Sequence, residues 1–165
     1  MAPTSTQKQL LAQPISTDNF APFGQVIFPN SDGKAFDTND AQLDLSQGTP
    51  RFYIMQLQRM GRSFHKITRH QRCTQCLGAM AGQSWLMAVA PPGADPCPQV
   101  DAIQAFTIPG NCFIKLAVGT WHAGPLFEQD QIDFFNLELS DTNITDHDTC
   151  NLRQTYGLDY EIIIS

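Results

Sequence analysis

Two histidines stand where the chain is least free. His122 lies in Gly119-Thr-Trp-His-Ala-Gly-Pro125, directly after the apolar run Cys112 to Val118. Glycine and proline on both sides restrict the backbone that presents this imidazole. His70 lies in Thr68-Arg-His, upstream of Gln75. Imidazole changes charge near neutrality, so it serves as general acid, general base or metal ligand. His122 and His70 are therefore candidate catalytic residues and, together, a candidate weak metal pair. The spacing runs Thr68-x-His70, four residues to Gln75, six more to Gly82, and then Gly119-x-x-His122. Thr68 and Gln75 would be poor ligands at the other two positions, because a divalent transition metal prefers imidazole and carboxylate. A buried histidine satisfied by hydrogen bonds is the competing reading of each ring.

Four neighbours extend the candidate set. Lys115 precedes His122 in the apolar run and shares parity with Phe113 and Ala117. If that face lines the interior, its ammonium meets an anionic ligand there, as a catalytic or binding group; otherwise it is a solvated surface lysine. Arg69 adjoins His70 and would grip a carboxylate, unless Arg69 and Glu138 merely form surface ion pairs. Trp121 would wall a small pocket or pack in the core. Gln75 offers hydrogen bonds to a polar ligand group.

Composition bounds the partners. The chain has 165 residues, a net charge of -6 and 42% hydrophobic residues. That describes one globular domain, without the basic face that phosphate binding requires, so a nucleic-acid partner is not expected. No stretch is long and apolar enough for a membrane helix. Met1-Ala-Pro-Thr-Ser-Thr-Gln-Lys lacks the basic-then-apolar order of a secretory signal, so a cytoplasmic location is expected. Five cysteines then read as free thiols. Cys73-Thr-Gln-Cys76 lacks a second ligand pair and a helix start, so inert thiols are expected there.

The elements that would position these residues are short strands. Residues 1–14 read as a loose tail, and 15–165 as one domain. Ile15-Ser-Thr-Asp-Asn-Phe20 supplies capping residues for a helical turn. Strands are expected at 26–28, 51–57, 64–69, 75–80, 84–90, 104–108, 112–118, 132–139 and 160–164, with an extra one within 41–45. Ser84-Trp-Leu-Met-Ala-Val-Ala90 is apolar almost throughout, as in a strand covered on both faces. The segments 34–50 and 141–153 read as polar loops, the former a lid or a plain surface loop. Short strands between Gly/Pro turns, with no long helix, indicate an all-β sandwich or barrel.

The sequence resembles a known family in Ile15-Ser-Thr-Asp-Asn-Phe-Ala-Pro-Phe-Gly-Gln-Val-Ile27, Thr68-Arg-His-Gln-Arg-Cys-Thr-Gln75, Phe106-Thr-Ile-Pro-Gly110, Gly119-Thr-Trp-His-Ala-Gly-Pro125 and Asp133-Phe-Phe-Asn136. It is similar there to ureidoglycolate lyases, and its histidine spacing is similar to that of cupins. The resemblance implies a cupin-type double-stranded β-helix and a homodimer. It also implies cleavage of (S)-ureidoglycolate to glyoxylate and urea in allantoin breakdown, with nickel as the associated metal. This chain departs from the family in carrying Thr68 where a Glu precedes Arg-His. Two other readings stay open: a small-acid binding or sensor module without turnover, and a lyase or isomerase acting on another hydroxy or keto acid.

Overall fold

The computed structural model describes residues 4–165. In chain order the strands are β1 (Thr6–Pro14), β2 (Gly24–Ile27), β3 (Pro50–Gln58), β4 (Ser63–Phe64), β5 (Lys66–Arg69), β6 (Gln75–Ala79) and β7 (Gly82–Ala90). Next come β8 (Gln104–Gly110), β9 (Phe113–Leu116), β10 (Trp121–Leu126), β11 (Gln131–Leu139), β12 (Asp148–Asn151) and β13 (Leu158–Ile163). Three short helices interrupt them: α1 (Thr17–Phe20), α2 (Thr142–Thr145) and α3 (Leu152–Tyr156). One sheet has the order β12-β5-β10-β7-β8-β1-β13-β4, and the other β2-β9-β6-β11-β3. The two face one another across the main core, an all-β architecture as expected. Among the described residues no helix is long and apolar enough to cross a membrane.

Alternation along the strands explains the layering. Trp85, Met87 and Val89 of β7 join Ile114, Leu116, Leu77 and Phe134 in the core between the sheets. Leu86, Ala88 and Ala90 point the other way, into a second cluster with Trp121, Leu152, Tyr160 and Ile162. The apolar run in β7 is thus covered on both faces, as its composition indicates. Ser16 caps α1 reciprocally with Asn19, and this fixed turn drives Phe20 into the main core. There it meets Phe106 edge-on, with ring centroids 5.4 Å apart.

Several expectations need correction. The stretch read as a loose tail forms β1 from Thr6 onward, while residues 1–3 lie outside the described part. Its backbone pairs in parallel with β13 and β8, so ladder hydrogen bonds order it despite its polar side chains. No strand forms within 41–45. The polar segment 141–153 holds β12, which pairs with β5. Cys97 and Cys150 form a disulfide, so the free thiols are Cys73, Cys76 and Cys112. That bond overturns the reading of all five cysteines as free thiols, which followed from the expected cytoplasmic location; disulfides persist mainly in oxidising compartments. The CxxC thiols are buried, as expected, and burial pushes Cys76 up to about 12 and also raises Cys73.

Candidate active site

The inner face of the eight-stranded sheet carries the histidines. His122 is within β10 rather than past a strand end, because the chain re-enters the sheet immediately after Gly119. It stands opposite Thr68 of β5 and Val89 of β7. Opposed residues share a face, and Val89 belongs to the inner core, so His122 and Thr68 point inward too. His70 follows Thr68 by two residues and keeps that parity. The His70 and His122 rings lie 5.0 Å apart between centroids. Gly119 helps hold them together. Its φ of 82° suits a residue without a side chain. Its N–H donates to the His70 carbonyl at 2.7 Å.

A third imidazole joins the pair. His147, just before β12, lies 5.7 Å from the His70 ring. It is exposed, whereas His70 and His122 are buried, so it marks the solvent side of the group. Thr68 shares a hydrogen bond of 2.9 Å with Thr149, two residues beyond His147. Sequence reasoning missed His147 because 141–153 looked like featureless loop. The signal was the His147-x-Thr149 alternation of a short edge strand.

Hydrogen bonding sets the tautomers. His70 Nδ1 is 2.6 Å from the Asp146 carbonyl, and His122 Nδ1 is 3.4 Å from that of Thr120. A carbonyl only accepts, so each Nδ1 carries the hydrogen and each Nε2 is left with a lone pair. The Asp146 carboxylate accepts from the backbone N–H groups of Gln71 and Arg72, fixing the loop after His70. Burial, reinforced by His70 nearby, pulls His122 down to about 3, so its imidazole is neutral at neutral pH. His70, Cys73, Gln75, Leu116, Ala117, Thr120 and His122 line a crevice too tight, as it stands, to admit a water molecule. Gln75 therefore faces the histidines across the barrel, from β6 of the opposite sheet.

The other candidates face away. In β9 the core positions are Ile114 and Leu116, which turns Lys115 to the outer face of the five-stranded sheet. It is opposite Cys76 and Gln25 there, buried, and its ammonium is disfavoured by that burial. Parity with Phe113 and Ala117 is correct, but that face is not the interior. Arg69 also points outward. Its Nε donates to Asp148 at 2.7 Å, Nη1 donates to the Gly93 carbonyl, and its guanidinium lies 4.3 Å from the Trp121 ring centroid. Trp121 itself is in the outer cluster. Arg69, Trp121 and Lys115 are thus structural groups outside the histidine cavity. Strand alternation, invisible without knowing which face is buried, decides all three.

Glu138 is no surface ion pair either. It is 1% exposed, on the inner face of β11 with Asn136. No ion pair to it exists among the described residues. The donors that could hold a divalent ion are His70 Nε2, His122 Nε2 and the neutral Gln75 carbonyl. Among the described residues no group of three or more His, Cys, Asp or Glu side chains is arranged around a common metal position. Without a carboxylate at position 68, this set does not fit a resident divalent ion.

A family model for ureidoglycolate lyase matches residues 7–159. A ureidoglycolate lyase of Pseudomonas syringae pv. syringae is 23% identical over 145 residues, covering 81% of this chain and 84% of that protein. One from Pseudomonas syringae pv. tomato is 26% identical over the same shares. Among solved structures, a dTDP sugar isomerase of Desulfovibrio desulfuricans G20 aligns with a TM-score of 0.46 and 11% identity, over 82% of this chain and 88% of that one. Oxalate decarboxylase from Bacillus subtilis aligns with a TM-score of 0.42 and 11% identity, over 86% of this chain but only 30% of its own length. The match to the family model spans nearly the whole sequence, and the chain belongs to the ureidoglycolate lyase family.

Proposed function

We propose that the protein cleaves ureidoglycolate to glyoxylate and urea in the cavity between His70, His122 and Gln75. The observation that carries this is the buried imidazole pair with both Nε2 lone pairs free, facing an amide. Ureidoglycolate bears a hydroxyl, a carboxylate and a ureido nitrogen on one carbon. His122, neutral at Nε2, takes the hydroxyl proton. The C–O bond becomes a carbonyl, the C–N bond breaks, and its electron pair goes to the ureido nitrogen. His70, whose Nδ1–H is spent on the Asp146 carbonyl, takes that proton from His122 at its free Nε2 and returns it to the ureido nitrogen. Gln75 accepts from the ureido N–H. Arg69 and Lys115 do not reach the cavity, so the substrate carboxylate meets a positive charge there only once His122 has taken the hydroxyl proton. A bound anion favours that charge, which raises the basicity of His122 in the complex. The cavity is narrow, so binding also requires its walls to part near the exposed His147.

The test is to mix the purified protein with ureidoglycolate and follow glyoxylate, with nickel and with a chelator. We expect turnover, at a rate that neither addition changes. Binding of small acids without turnover would make the chain a binding module, and turnover of a different hydroxy acid would change the substrate.

A homodimer is proposed through the outer face of the five-stranded sheet. Phe52 and Ile54 of β3 are 71% and 60% exposed there. Phe52 packs edge-on against Phe135, which also meets Phe113. β3 is an edge strand, and an apolar patch on a free edge needs a cover. Sedimentation equilibrium should show a dimer for the native chain and a monomer for Phe52→Glu.

A further inference from the structure

The barrel wall opposite the histidines holds a closed polar ring, of which the reaction above uses only Gln75. Gln75 Nε2 donates to Asn136 Oδ1 and to Glu138 Oε2, each at 3.1 Å. Asn136 Nδ2 donates to the Tyr53 hydroxyl at 3.1 Å, and that hydroxyl donates to Glu138 Oε1 at 3.3 Å. Tyr53 and Asn136 are paired across β3 and β11, so strand register builds the ring. Gln75, Asn136 and Glu138 are all buried, and Gln75 Oε1 has no hydrogen-bond partner.

Glu138 sets the direction of the whole ring. Its Oε1 accepts from the Tyr53 hydroxyl and its Oε2 from the Gln75 amide, so both partners present hydrogens to it. Rotating the Gln75 amide by half a turn would set its oxygen against a carboxylate and against Asn136 Oδ1. Both amide hydrogens are therefore committed to the ring, and the orphan oxygen is the end left for the cavity that Gln75 lines with His70 and His122. A buried acceptor without a donor is costly, and a ligand N–H removes that cost. A ligand presenting another oxygen lone pair at this point does not.

We infer that Glu138, with Asn136 and Tyr53, is a positioning residue that locks the Gln75 carbonyl toward the histidine cavity, so that the site selects ligands carrying an N–H donor. This rests on the proposed reading of the cavity and names how it distinguishes a ureido acid from a plain hydroxy acid. Glu138 touches no reacting atom; it acts through Gln75.

The experiment compares binding of two stable probes by calorimetry: ureidoacetate, which has the ureido group but no hydroxyl, and glycolate, which has the hydroxyl but no N–H. The wild type should bind ureidoacetate at least about tenfold tighter than glycolate, the scale of one satisfied buried acceptor. Glu138→Leu should lose that preference while its glycolate affinity stays the same. Glu138→Gln, which keeps an acceptor for Gln75, should restore most of it. If Glu138→Leu does not fold, Tyr53→Phe deletes only the hydroxyl and should reduce the preference by a smaller factor. Melting temperatures confirm that each variant is native. A folded Glu138→Leu or Tyr53→Phe protein with the wild-type preference overturns the inference, as does a wild type without one. Discrimination between the probes in a wild type that does not turn over ureidoglycolate would sink the lyase assignment and leave the inference standing.

Discussion

His122→Asn should lower kcat on ureidoglycolate by about a hundred- to ten-thousandfold, the range for removing a positioned proton-transfer group. Asn retains an N–H for the Thr120 carbonyl and little bulk is lost, so the fold should persist. His70→Asn should fall in the same range. The double variant should be little worse than either single one, because groups that pass one proton through one substrate act as a unit. Lys115→Met is the contrasting case. Lys115 is buried on the far side of the β6–β9 ladder, so its replacement should leave kcat unchanged. Steady-state kinetics on the four proteins decides the matter. A silent His122→Asn beside an inactive but folded Lys115→Met would move the chemistry to the outer face of the sheet.

Acid should unfold the protein partly through His122. Its ordinary value is 6.5, and burial holds the folded imidazole near 3. Above 6.5 the ring is neutral whether the chain is folded or not. Below that point the unfolded chain gains a proton that the folded chain refuses. The unfolded state then binds more protons, so stability falls as pH drops from 6.5 toward 3, by at most about 1.4 kcal/mol per pH unit. Asp141 and Asp159, both held below their ordinary values by hydrogen bonds to neighbours, add a loss in the same direction at lower pH. His122→Asn isolates the histidine part. Urea unfolding at pH 7 and pH 5 should show the wild type losing up to about 2 kcal/mol more than the variant. Parallel losses would mean that the folded ring takes up its proton normally.

The sequence carried more of the fold than of the site. Val26, Trp85 to Ala90 and Ile132 to Leu139 announce strands through β-branched and aromatic composition, and most segments expected as strands contain them. β1 and β12 were not legible, because Gln7-Lys8-Gln9 and Asp148-Thr149 are polar. Their order comes from backbone pairing with distant strands, not from their own burial. For the site, Gly119 and the spacing to His122 and His70 pointed to two imidazoles that the structure brings together. Gln75 was legible by the same spacing. Lys115, Arg69 and Trp121 were misplaced for one reason: alternation tells which residues share a face, but not which face is inside. The same rule concealed Glu138. Phe135, Leu137 and Leu139 make the more apolar face of β11, yet Phe135 and Leu137 are only half-buried, and the barrel encloses Phe134, Asn136 and Glu138 instead. Polar residues inside a barrel are legible as a site only once the closure of the sheet is known.

The parallel pairing of β1 with β13 has a consequence for synthesis. Thr6 through Leu11 find their partners at Leu158 through Ile163, so the seam between β8 and β13 stays unzipped until those late residues leave the ribosome. A nascent chain thus carries an unmatched polar ribbon through most of translation. The large share of such distant pairings predicts slow folding that completes only after β13 is made.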